Sequence, residues 1–298
     1  MNDSKIPDPN GDRFYEHLIV GGAIVQLTGR VCFIAGASGV IGQAVAREFL
    51  QQGARLALTF QSNLPAEFAN WKDREPDCVW TLRLDIRNRL QVQQAIAEAI
   101  RRFGGLHALV NCTGVLGPVG PTAEVSAADW ATAVEINLLG SFYLTRAVLP
   151  HMLERGGGKI IHFSGGGAAY ARPFYTAYSA SKTALVRFVE SLAEEVRRSQ
   201  IEVNAIAPGP VESRMWNQMR QVREPDARTL EELKRMEESG GIPPERAAAL
   251  AVFLASDRSN GLTGRLISAV HDNWAGLGSR IEEVMRSEAG TLRRVPLG

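Results

Sequence analysis

The chain has 298 residues, of which 45% are hydrophobic and 22% charged, a composition typical of a globular protein with a sizeable core. Its net charge of +1 excludes an electrostatic case for binding nucleic acid or an anionic membrane surface. The cysteines (32, 78 and 112) and the five histidines lack the spacing of a disulfide framework or a metal site. We therefore expect no metal and no nucleic-acid partner.

No targeting or membrane segment is visible in the sequence. The first residues lack the basic start and apolar stretch of a signal peptide. No segment approaches the roughly 18 apolar residues that a membrane-spanning helix requires. The default expectation is a cytoplasmic protein that is not bound to membranes.

From residue 30 onwards, short apolar β runs alternate with helical stretches. This alternation predicts a single α/β domain with a parallel seven-stranded sheet and helices on both of its faces. The predicted strands are residues 31–35, 55–60, 79–84, 106–112, 159–163, 202–206 and 265–270. The predicted helices are residues 43–52, 90–103, 127–153, 177–198 and 244–254.

Three segments lie outside this alternation or interrupt it. Residues 1–28 are interpreted as an N-terminal extension, 29–272 as the dinucleotide-binding catalytic domain and 273–298 as a C-terminal tail. Within the domain, residues 214–243 are rich in charged and amide side chains and are long for a connection between a strand and a helix. Such a segment is typical of a lid over a substrate site.

A glycine-rich segment follows the first predicted strand and precedes a helix. Glycines at such a turn let the backbone approach a pyrophosphate, which the helix N-terminus then binds. The alternative is a tight turn without a ligand. The candidate binding residues of this loop are Gly36, Ser38, Gly39, Val40, Ile41 and Gly42.

The end of the second predicted strand bears on the choice between NAD and NADP. An acidic residue normally stands there to bind the ribose 2′-hydroxyl of NAD. This chain has Phe60 followed by Gln61, Ser62 and Asn63, with no carboxylate to repel a 2′-phosphate and no arginine to attract one. We expect NADP to be preferred over NAD, since these polar side chains are able to donate hydrogen bonds to the phosphate.

Tyr178 and Lys182 are four residues apart at the start of a helical stretch, so they share one face of that helix. An ammonium beside a phenol favours the phenolate and lowers a pKa that is about 10 when unperturbed. The pair is therefore a candidate centre for proton transfer. By itself, the same spacing also suits an ordinary solvated helix face.

Taken together, these motifs resemble those of the short-chain dehydrogenase/reductase family, over roughly residues 29–272. The glycine-rich loop and the Tyr178–Lys182 pair occur in the family's order. So do four further segments: Asp85-Ile86, Asn111 to Gly114, Asn137, and Pro208-Gly209 with Ser213. The resemblance implies a Rossmann-type, doubly wound fold. It also implies an NAD(P)-dependent oxidoreductase that moves a hydride between nicotinamide and a small alcohol or ketone.

The resemblance also implies roles for single residues. Tyr178 is expected to act as general acid in reduction and general base in oxidation. Lys182 is expected to lower the tyrosine pKa and to bind the nicotinamide ribose, and Asn137 to support a water of the proton relay. In the family, the helices near 127–153 and 177–198 build homodimers or homotetramers. The remaining residues expected at the cofactor are Asp85, Ile86, Asn111, Gly114, Pro208, Gly209, Val211 and Ser213.

Two features depart from the family's pattern. The spacing of Gly36, Gly39 and Gly42 is closer to the family's longer branch of sugar-nucleotide epimerases and dehydratases, whereas the chain length suits the shorter branch. In addition, the family's active-site serine stands thirteen residues before its tyrosine, and Gly165 occupies that position here.

Ser164, one place before Gly165, is the candidate for holding the substrate oxygen. Neighbouring strand residues point to opposite faces of a sheet, so a plain shift by one residue turns the hydroxyl away from the site. The three glycines that follow, or one extra residue in the loop from 165 to 176, are able to restore its position.

Three functions therefore stay open. A hydride-transferring oxidoreductase is expected first. A nicotinamide-retaining epimerase or dehydratase of sugar nucleotides is favoured only by the loop spacing, and a non-catalytic dinucleotide-binding protein only by the displaced serine. The side chains expected to border the substrate are Tyr170, Tyr175, Trp216 and Trp274.

Overall fold

The apolar β runs of the sequence form one parallel sheet of seven strands in the order β3-β2-β1-β4-β5-β6-β7. The computed structural model describes residues 26–220, 222, 227–295 and 297, so most of the predicted N-terminal extension lies outside the described residues. The strands are β1 (Val31–Ala35), β2 (Arg55–Phe60), β3 (Val79–Arg83), β4 (Ala108–Asn111), β5 (Gly158–Phe163), β6 (Ile201–Ala207) and β7 (Leu266–Ser268).

The strand order reverses between β1 and β4, which lie side by side in the middle of the sheet. In open α/β sheets, ligands bind outside the carboxyl ends of the strands at such a switch point. The predicted doubly wound fold of the Rossmann type is thereby confirmed. The turns that follow β1 and β4 lie at this switch point, where the predicted dinucleotide is expected to bind.

The described helices cover both faces of the sheet. They are α1 (Val40–Gln51), α2 (Ala66–Arg74), α3 (Arg89–Phe103), α4 (Ala127–Val134), α5 (Gly140–Arg155), α6 (Thr176–Glu195), α7 (Arg214–Arg220), α8 (Ala227–Ser239), α9 (Pro244–Ala255) and α10 (Ile281–Met285). One turn of π-helix, Glu135–Leu139, joins α4 to α5. Helix α2 was not predicted from the sequence, because Phe68 is its only buried residue and its apolar pattern is correspondingly weak.

Two apolar cores lie on opposite faces of the sheet. Helices α1 and α9 pack against each other over one face, and α3, α5 and α6 cover the other. Strand β1 is buried on both sides: Cys32 and Ile34 belong to the first core, and Val31, Phe33 and Ala35 to the second. This alternation follows from the two-residue period of a strand. Because both faces of β1 are buried, every residue of the strand is apolar.

Residues 214–243 contain helices α7 and α8, which form a third apolar cluster apart from the two sheet cores. Trp216 and Met219 of α7 contact Leu233 and Met236 of α8, together with Leu116 and Tyr175 from the body of the protein. The two helices thus have an apolar side that holds them to the body. The domain limits and the lid function remain predictions.

The C-terminal segment returns to the outer edge of the sheet. The Leu266 amide of β7 donates to the Gly290 carbonyl at 2.7 Å, and the Leu292 amide donates to the Glu190 carboxylate at 2.6 Å. Arg265 donates to the carbonyls of Val284 and Ser287, each at 3.1 Å. The segment therefore protects an edge strand whose backbone groups are otherwise open to pairing with another chain.

Several kinds of feature are absent from the described part of the chain. The three cysteines are free thiols. No group of three or more His, Cys, Asp or Glu side chains within residues 26–220, 222, 227–295 and 297 is arranged to hold a metal ion. None of the described helices combines the length and the apolar content needed to cross a bilayer.

Candidate active site

The turn after β1 is shaped by glycines that approach other backbone atoms closely. Gly36 has a φ of +71°, in the left-handed region that favours glycine. A Cβ at Gly42 would lie 2.3 Å from the Gly36 carbonyl oxygen, so only glycine fits there. Helix α1 then begins with no side-chain cap at Gly39 and no acidic residue in its first turn. Its first amides therefore fit an anionic ligand such as a pyrophosphate.

Val40, where the family usually has glycine, is the first residue of α1. Its side chain is 41% exposed, and it is not among the described non-glycine residues with positive φ. A valine is thus accommodated there without backbone strain. Ser38 and Ile41 lie beside it, partly buried.

The end of β2 lies beside an arginine of β3. Gln61, Ser62 and Asn63 are exposed there, and Phe60 pairs in register with Arg83. The Arg83 Nε donates to the Gln61 carbonyl at 2.8 Å. Residues 60–63 themselves hold no arginine. The sheet register brings one in from a strand more than twenty residues away in sequence.

Asp85 and Ile86 follow β3. The Asp85 carboxylate accepts a two-point hydrogen bond from the Arg87 guanidinium, 2.6 Å at its shortest, and this bond holds the pKa of Asp85 below its usual range. Ile86 packs so tightly on Gly140 that a Cβ at Gly140 would lie 2.5 Å from its Cδ1. Their contacts with a cofactor remain predictions.

Asn111, at the end of β4, points into the protein. Its side chain is 1% exposed and donates to the Ser141 hydroxyl at 2.8 Å, and its Oδ1 accepts from the Thr113 amide at 3.1 Å. These bonds fix the turn from Thr113 to Gly114, which lines the cleft. Asn111 therefore holds the backbone of this turn, and its contact with a cofactor remains a prediction.

His162 of β5 completes this buried network. Thr145 donates its hydroxyl to the Ser141 carbonyl at 2.9 Å, so it accepts the proton that His162 carries on Nε2, 3.0 Å away. The other ring nitrogen, Nδ1, is left to accept from Asn111 at 3.3 Å. Burial lowers the pKa of His162 to about 3, so the ring is neutral at pH 7.

Tyr178 lies in the first turn of α6, and its hydroxyl abuts the glycine-rich segment after β5. A Cβ at Gly165 would lie 2.1 Å from the Tyr178 hydroxyl oxygen, and one at Gly166 would lie 2.2 Å from the Tyr170 hydroxyl oxygen. Two adjacent glycines thus make room for two phenol groups. Both tyrosines line a cleft of about 1080 Å³ at the carboxyl ends of the strands.

Ser164 does not take the place that faces the tyrosine. Its hydroxyl donates to the Lys182 carbonyl at 3.4 Å, and its side chain is 4% exposed in the wall of the cleft. Gly165 has extended backbone angles (φ −179°, ψ 173°), so the chain does not bend there to restore the serine. Gly165 faces Tyr178, as strand alternation predicts. The role of Ser164 at the substrate oxygen remains an untested prediction that this geometry does not favour.

Lys182 is buried beneath the cleft. Its ammonium donates to the Phe163 carbonyl at 2.8 Å and to the Thr113 carbonyl at 3.5 Å, and a Cβ at Gly114 would lie 3.1 Å from its Nζ. Burial lowers the pKa of Lys182 to about 8. The lysine therefore exchanges its proton close to neutral pH.

The pKa of Tyr178 differs from the prediction. Burial raises it to about 12, opposed by the Arg172 guanidinium. Lys182 is not among the groups that shift this pKa, so the expected lowering by its ammonium is not found. The phenol consequently keeps its proton throughout the neutral range.

Asn137 lies in the π-helical turn and joins three parts of the site. Its Oδ1 accepts from the Val115 amide and its Nδ2 donates to the Val115 carbonyl, both at 2.9 Å. The same Nδ2 donates to the Ser181 hydroxyl at 3.0 Å, and Ser181 in turn donates to the Tyr178 carbonyl at 3.0 Å. Asn137 thereby holds the first turn of α6, and with it the Tyr178–Lys182 pair, against the segment after β4.

The loop after β6 forms another wall of the cleft, with the predicted residues Pro208, Gly209, Val211 and Ser213 all lining it. Trp216 of α7 lines it as well. Two other aromatic residues expected at the substrate do not. Tyr175 is fully buried in the third apolar cluster, and Trp274 packs on Phe253 and donates to the Ala269 carbonyl at 3.2 Å.

Arg172 and Glu232 also line the cleft, but no sequence motif marks either residue as part of the site. Arg172 precedes α6 and binds the carboxylate of Glu232 in α8. The Tyr170 hydroxyl donates to the same carboxylate at 3.2 Å. Only the packing of α8 on the body brings these residues together, so no local pattern reveals them.

Comparison with known proteins gives a consistent result. Residues 35–270 match a family model described as enoyl-(acyl carrier protein) reductase. The oxidoreductase UcpA of Salmonella typhimurium is 37% identical over 246 residues, covering 80% of this chain and 92% of its own.

Two solved structures are also similar to this fold. One is a levodione reductase, with a TM-score of 0.75 and 29% identity over 84% of this chain and all of that one. The other is a gluconate 5-dehydrogenase from Burkholderia cenocepacia in complex with NADP and tartrate. It has a TM-score of 0.72 and 28% identity, covering 82% of this chain and 94% of that one.

Proposed function

The chain belongs to the short-chain dehydrogenase/reductase family and is an NAD(P)-dependent oxidoreductase, and we propose that Tyr178 is the acid–base group of its reaction with a small alcohol or ketone. One observation supports this role above the others: the Tyr178 hydroxyl lines the cleft at Gly165, with the Lys182 ammonium buried under the same turn of helix. The names of the two similar structures, a reductase and a dehydrogenase of small compounds, support the substrate class.

The dinucleotide is proposed to lie across the switch point. Its pyrophosphate fits the uncapped N-terminus of α1 at Gly36 and Gly42, and its nicotinamide half the wall formed by Gly114, Lys182 and the loop after β6. When bound, the nicotinamide supplies or accepts the hydride. The protein supplies the placement of the substrate and the movement of the proton.

In reduction, Tyr178 donates its proton to the carbonyl oxygen, and the raised pKa keeps the phenol in the form that this step needs. In oxidation, Tyr178 accepts the proton of the alcohol, and because its raised pKa keeps the phenol protonated, it must first release its own proton. Lys182, with a pKa of about 8, is suited to exchanging that proton with water. We infer that Asn137 and Ser164 are positioning residues, which act through the Val115 backbone and the Lys182 carbonyl respectively.

Replacing Tyr178 with Phe tests the proposed role. We expect Tyr178→Phe to lower kcat for carbonyl reduction by about 10³-fold, within the range that general acid catalysis supplies. Affinity for NADPH should change by less than about threefold, because the ring and its packing remain. NADPH oxidation against a panel of ketones and fluorescence titration of NADPH measure the two quantities. Unchanged turnover would refute the role of Tyr178.

We propose a preference for NADP over NAD, carried by Arg83 together with Gln61, Ser62 and Asn63. The Arg83 guanidinium is exposed and is held at the end of β2 by its bond to the Gln61 carbonyl. A cation at that place attracts a 2′-phosphate, and no carboxylate follows β2 directly to repel it. The NADP in the similar dehydrogenase structure supports the same preference.

Replacing Arg83 with Ala should weaken NADPH binding by about 10-fold or more, the effect of a lost charge-assisted hydrogen bond, and leave NADH binding unchanged. Arg74→Ala, at another exposed arginine near this edge, is the matched control. Calorimetric titration of each cofactor measures the affinities. A wild-type protein that binds NADH more tightly than NADPH would overturn the preference.

A further inference from the structure

A largely buried ion pair stands in the wall of the cleft. The side chain of Arg172 is 10% exposed and that of Glu232 is 20% exposed. Tyr170 joins them, because its hydroxyl donates to Glu232 and accepts from the Arg172 Nη2, each at 3.2 Å. The Arg172 guanidinium also lies 5.4 Å from the centroid of the Tyr170 ring. One cation, one carboxylate and one phenol thus share a small region of the cleft.

This cluster acts electrostatically on the proposed acid–base group. Arg172 lowers the pKa of Tyr178, whereas Tyr170 and Glu232 raise it. The Tyr170 and Tyr178 hydroxyls lie against the adjacent glycines Gly166 and Gly165, which places the cluster near the Tyr178 hydroxyl. All four side chains line the same cleft. A substrate bound at Tyr178 therefore lies within reach of the cluster.

The guanidinium is incompletely bonded. The Nη2 of Arg172 donates hydrogen bonds to both Glu232 and Tyr170. Its Nε is buried and has no hydrogen-bond partner among the described residues. An arginine presents Nε and Nη2 as a planar fork that matches the two oxygens of a carboxylate. A buried donor without a partner costs free energy. Arg172 is therefore arranged to receive a carboxylate in a two-point bond that Glu232 does not make.

The other cations of the cleft are engaged differently. Arg246 donates to the Ala269 carbonyl at 2.6 Å and to the Val270 carbonyl at 3.2 Å, both in the body of the protein. Arg235 binds the carboxylate of Glu231, and its side chain is 69% exposed. Lys182 is buried too, but its ammonium is bound by the Phe163 and Thr113 carbonyls. Arg172 combines burial in the cleft wall with a guanidinium nitrogen that has no partner among the described residues.

The carboxylates of the cleft restrict where an anion is able to bind. Glu231, Glu232, Glu238 and Asp272 all line it, and Asp272 accepts from the Ser268 amide at 2.7 Å. These groups repel an anion from the rest of the wall. Because Glu232 is carried by helix α8, a movement of that one helix separates it from Arg172.

We propose that Arg172 binds a carboxylate of the substrate in place of Glu232, so that the enzyme acts on an oxo or hydroxy carboxylic acid. The inference rests on the proposed function, since it takes the reacting carbon to lie at Tyr178. Glu232 serves as the internal partner of Arg172 until the substrate arrives. It makes the site selective, because a neutral ketone gains nothing from displacing it.

The test compares oxo acids with their methyl esters, which keep the carbonyl and lose the charge. The panel contains 2-, 3- and 4-oxo acids, and NADPH oxidation by the full chain gives kcat/KM. For the wild type we expect at least one acid to react about tenfold better than its ester. Arg172→Gln should lower kcat/KM for that acid by about 100-fold, as for the loss of one partner of a buried charge pair, and for the ester by less than about threefold.

Three further variants make the result decisive. Arg172→Lys keeps the charge without the fork and should recover part of the activity towards the acid. Glu232→Gln removes the competing carboxylate and should raise kcat/KM for the acid. Arg101→Gln, at an exposed arginine of α3 that does not line the cleft, should leave kcat/KM for both substrates unchanged.

Equal losses for acid and ester in Arg172→Gln would mean that the ion pair only anchors α8, and would overturn the proposal. So would a wild-type enzyme that reduces every ester as well as its acid. Failure of the proposed function looks different, because NADPH would then bind without being oxidised by either series.

Discussion

At the scale of single residues, Gly165 decides where the tyrosine hydroxyl lies. There is no room for a side chain at this position while Tyr178 keeps its place, since a Cβ would lie 2.1 Å from the phenol oxygen. A serine introduced at Gly165 would therefore displace the proposed acid–base group rather than assist it. In this chain the tyrosine approaches the strand more closely than a side chain at 165 would permit.

Gly165→Ala should consequently lower kcat by about 10-fold to 100-fold, because a displacement of about 1 Å in a reacting group has effects of that size. Affinity for NADPH should be unchanged, since the dinucleotide end of the site is not touched. Ser164→Ala is the companion variant and should retain turnover within about threefold, because its hydroxyl bonds to the Lys182 carbonyl. Steady-state NADPH oxidation measures both. If Ser164→Ala were inactive and Gly165→Ala active, Ser164 would be the catalytic serine after all.

At the scale of elements, a buried polar network joins β4, β5 and the start of α5. One assignment of protons pairs every donor in this network with an acceptor. Its members are Asn111, Ser141, Thr145 and His162. Ser141 also donates to the Asn137 carbonyl at 2.8 Å, which connects the network to the π-helical turn. Buried networks of this kind fix one arrangement of the elements that they join, because an unpaired member is costly. Here the arrangement is the one that positions the Tyr178–Lys182 pair.

This network should make stability depend on pH below neutrality. The folded pKa of His162, about 3, lies below the unfolded value near 6.5, so the unfolded chain binds the proton over that range. The contribution of His162 to the free energy of unfolding is fully present above pH 6.5. It is lost as pH falls towards 3, by up to about 1.4 kcal/mol per pH unit. His162→Gln should reduce this slope in urea unfolding measured from pH 4.5 to 7.5.

His271→Gln, at an exposed histidine, is the control and should leave the slope unchanged. His107, whose pKa burial lowers to about 4, contributes to the slope in every variant and cancels in the comparison. An identical slope in His162→Gln and the wild type would show that His162 does not titrate with unfolding.

At the scale of the whole molecule, one apolar face is left uncovered. Leu139, Phe142 and Leu153 are 38%, 40% and 46% exposed, and their spacing places them along one side of the π-helical turn and α5. The Phe142 ring lies 6.1 Å from that of Phe188 in α6, so the face extends over both helices. We propose that a second copy of the chain covers it. The edge of β7 is already protected by the C-terminal segment.

Phe142→Arg should therefore shift the protein to the monomer, because a charge in an apolar interface loses its hydration without gaining a partner. Sedimentation velocity measures the change. Leu90→Arg, at an exposed leucine in the first turn of α3, is the control and should leave the assembly intact. A wild-type chain that sediments as a monomer at micromolar concentration would contradict the proposed homodimer.

The sequence by itself determined the alternating architecture, the glycine turn of Gly36 and Gly42, and the four-residue spacing of Tyr178 and Lys182. Each is a local property, because strand and helix periodicities and tight turns depend on residues that are close in the chain. Helix α2 was not predicted for the same reason, since Phe68 is its only buried residue and the apolar periodicity is weak.

Only the tertiary structure decided which distant residues meet. The register of β2 with β3 brings Arg83 to Gln61, and the packing of α8 brings Glu232 to Arg172. The raised pKa of Tyr178 is likewise a consequence of burial, which no spacing of two residues determines. The sequence thus predicted the acid–base pair from its local pattern. The groups that set its charge and its proposed substrate come from long-range packing, and local patterns do not report on such contacts.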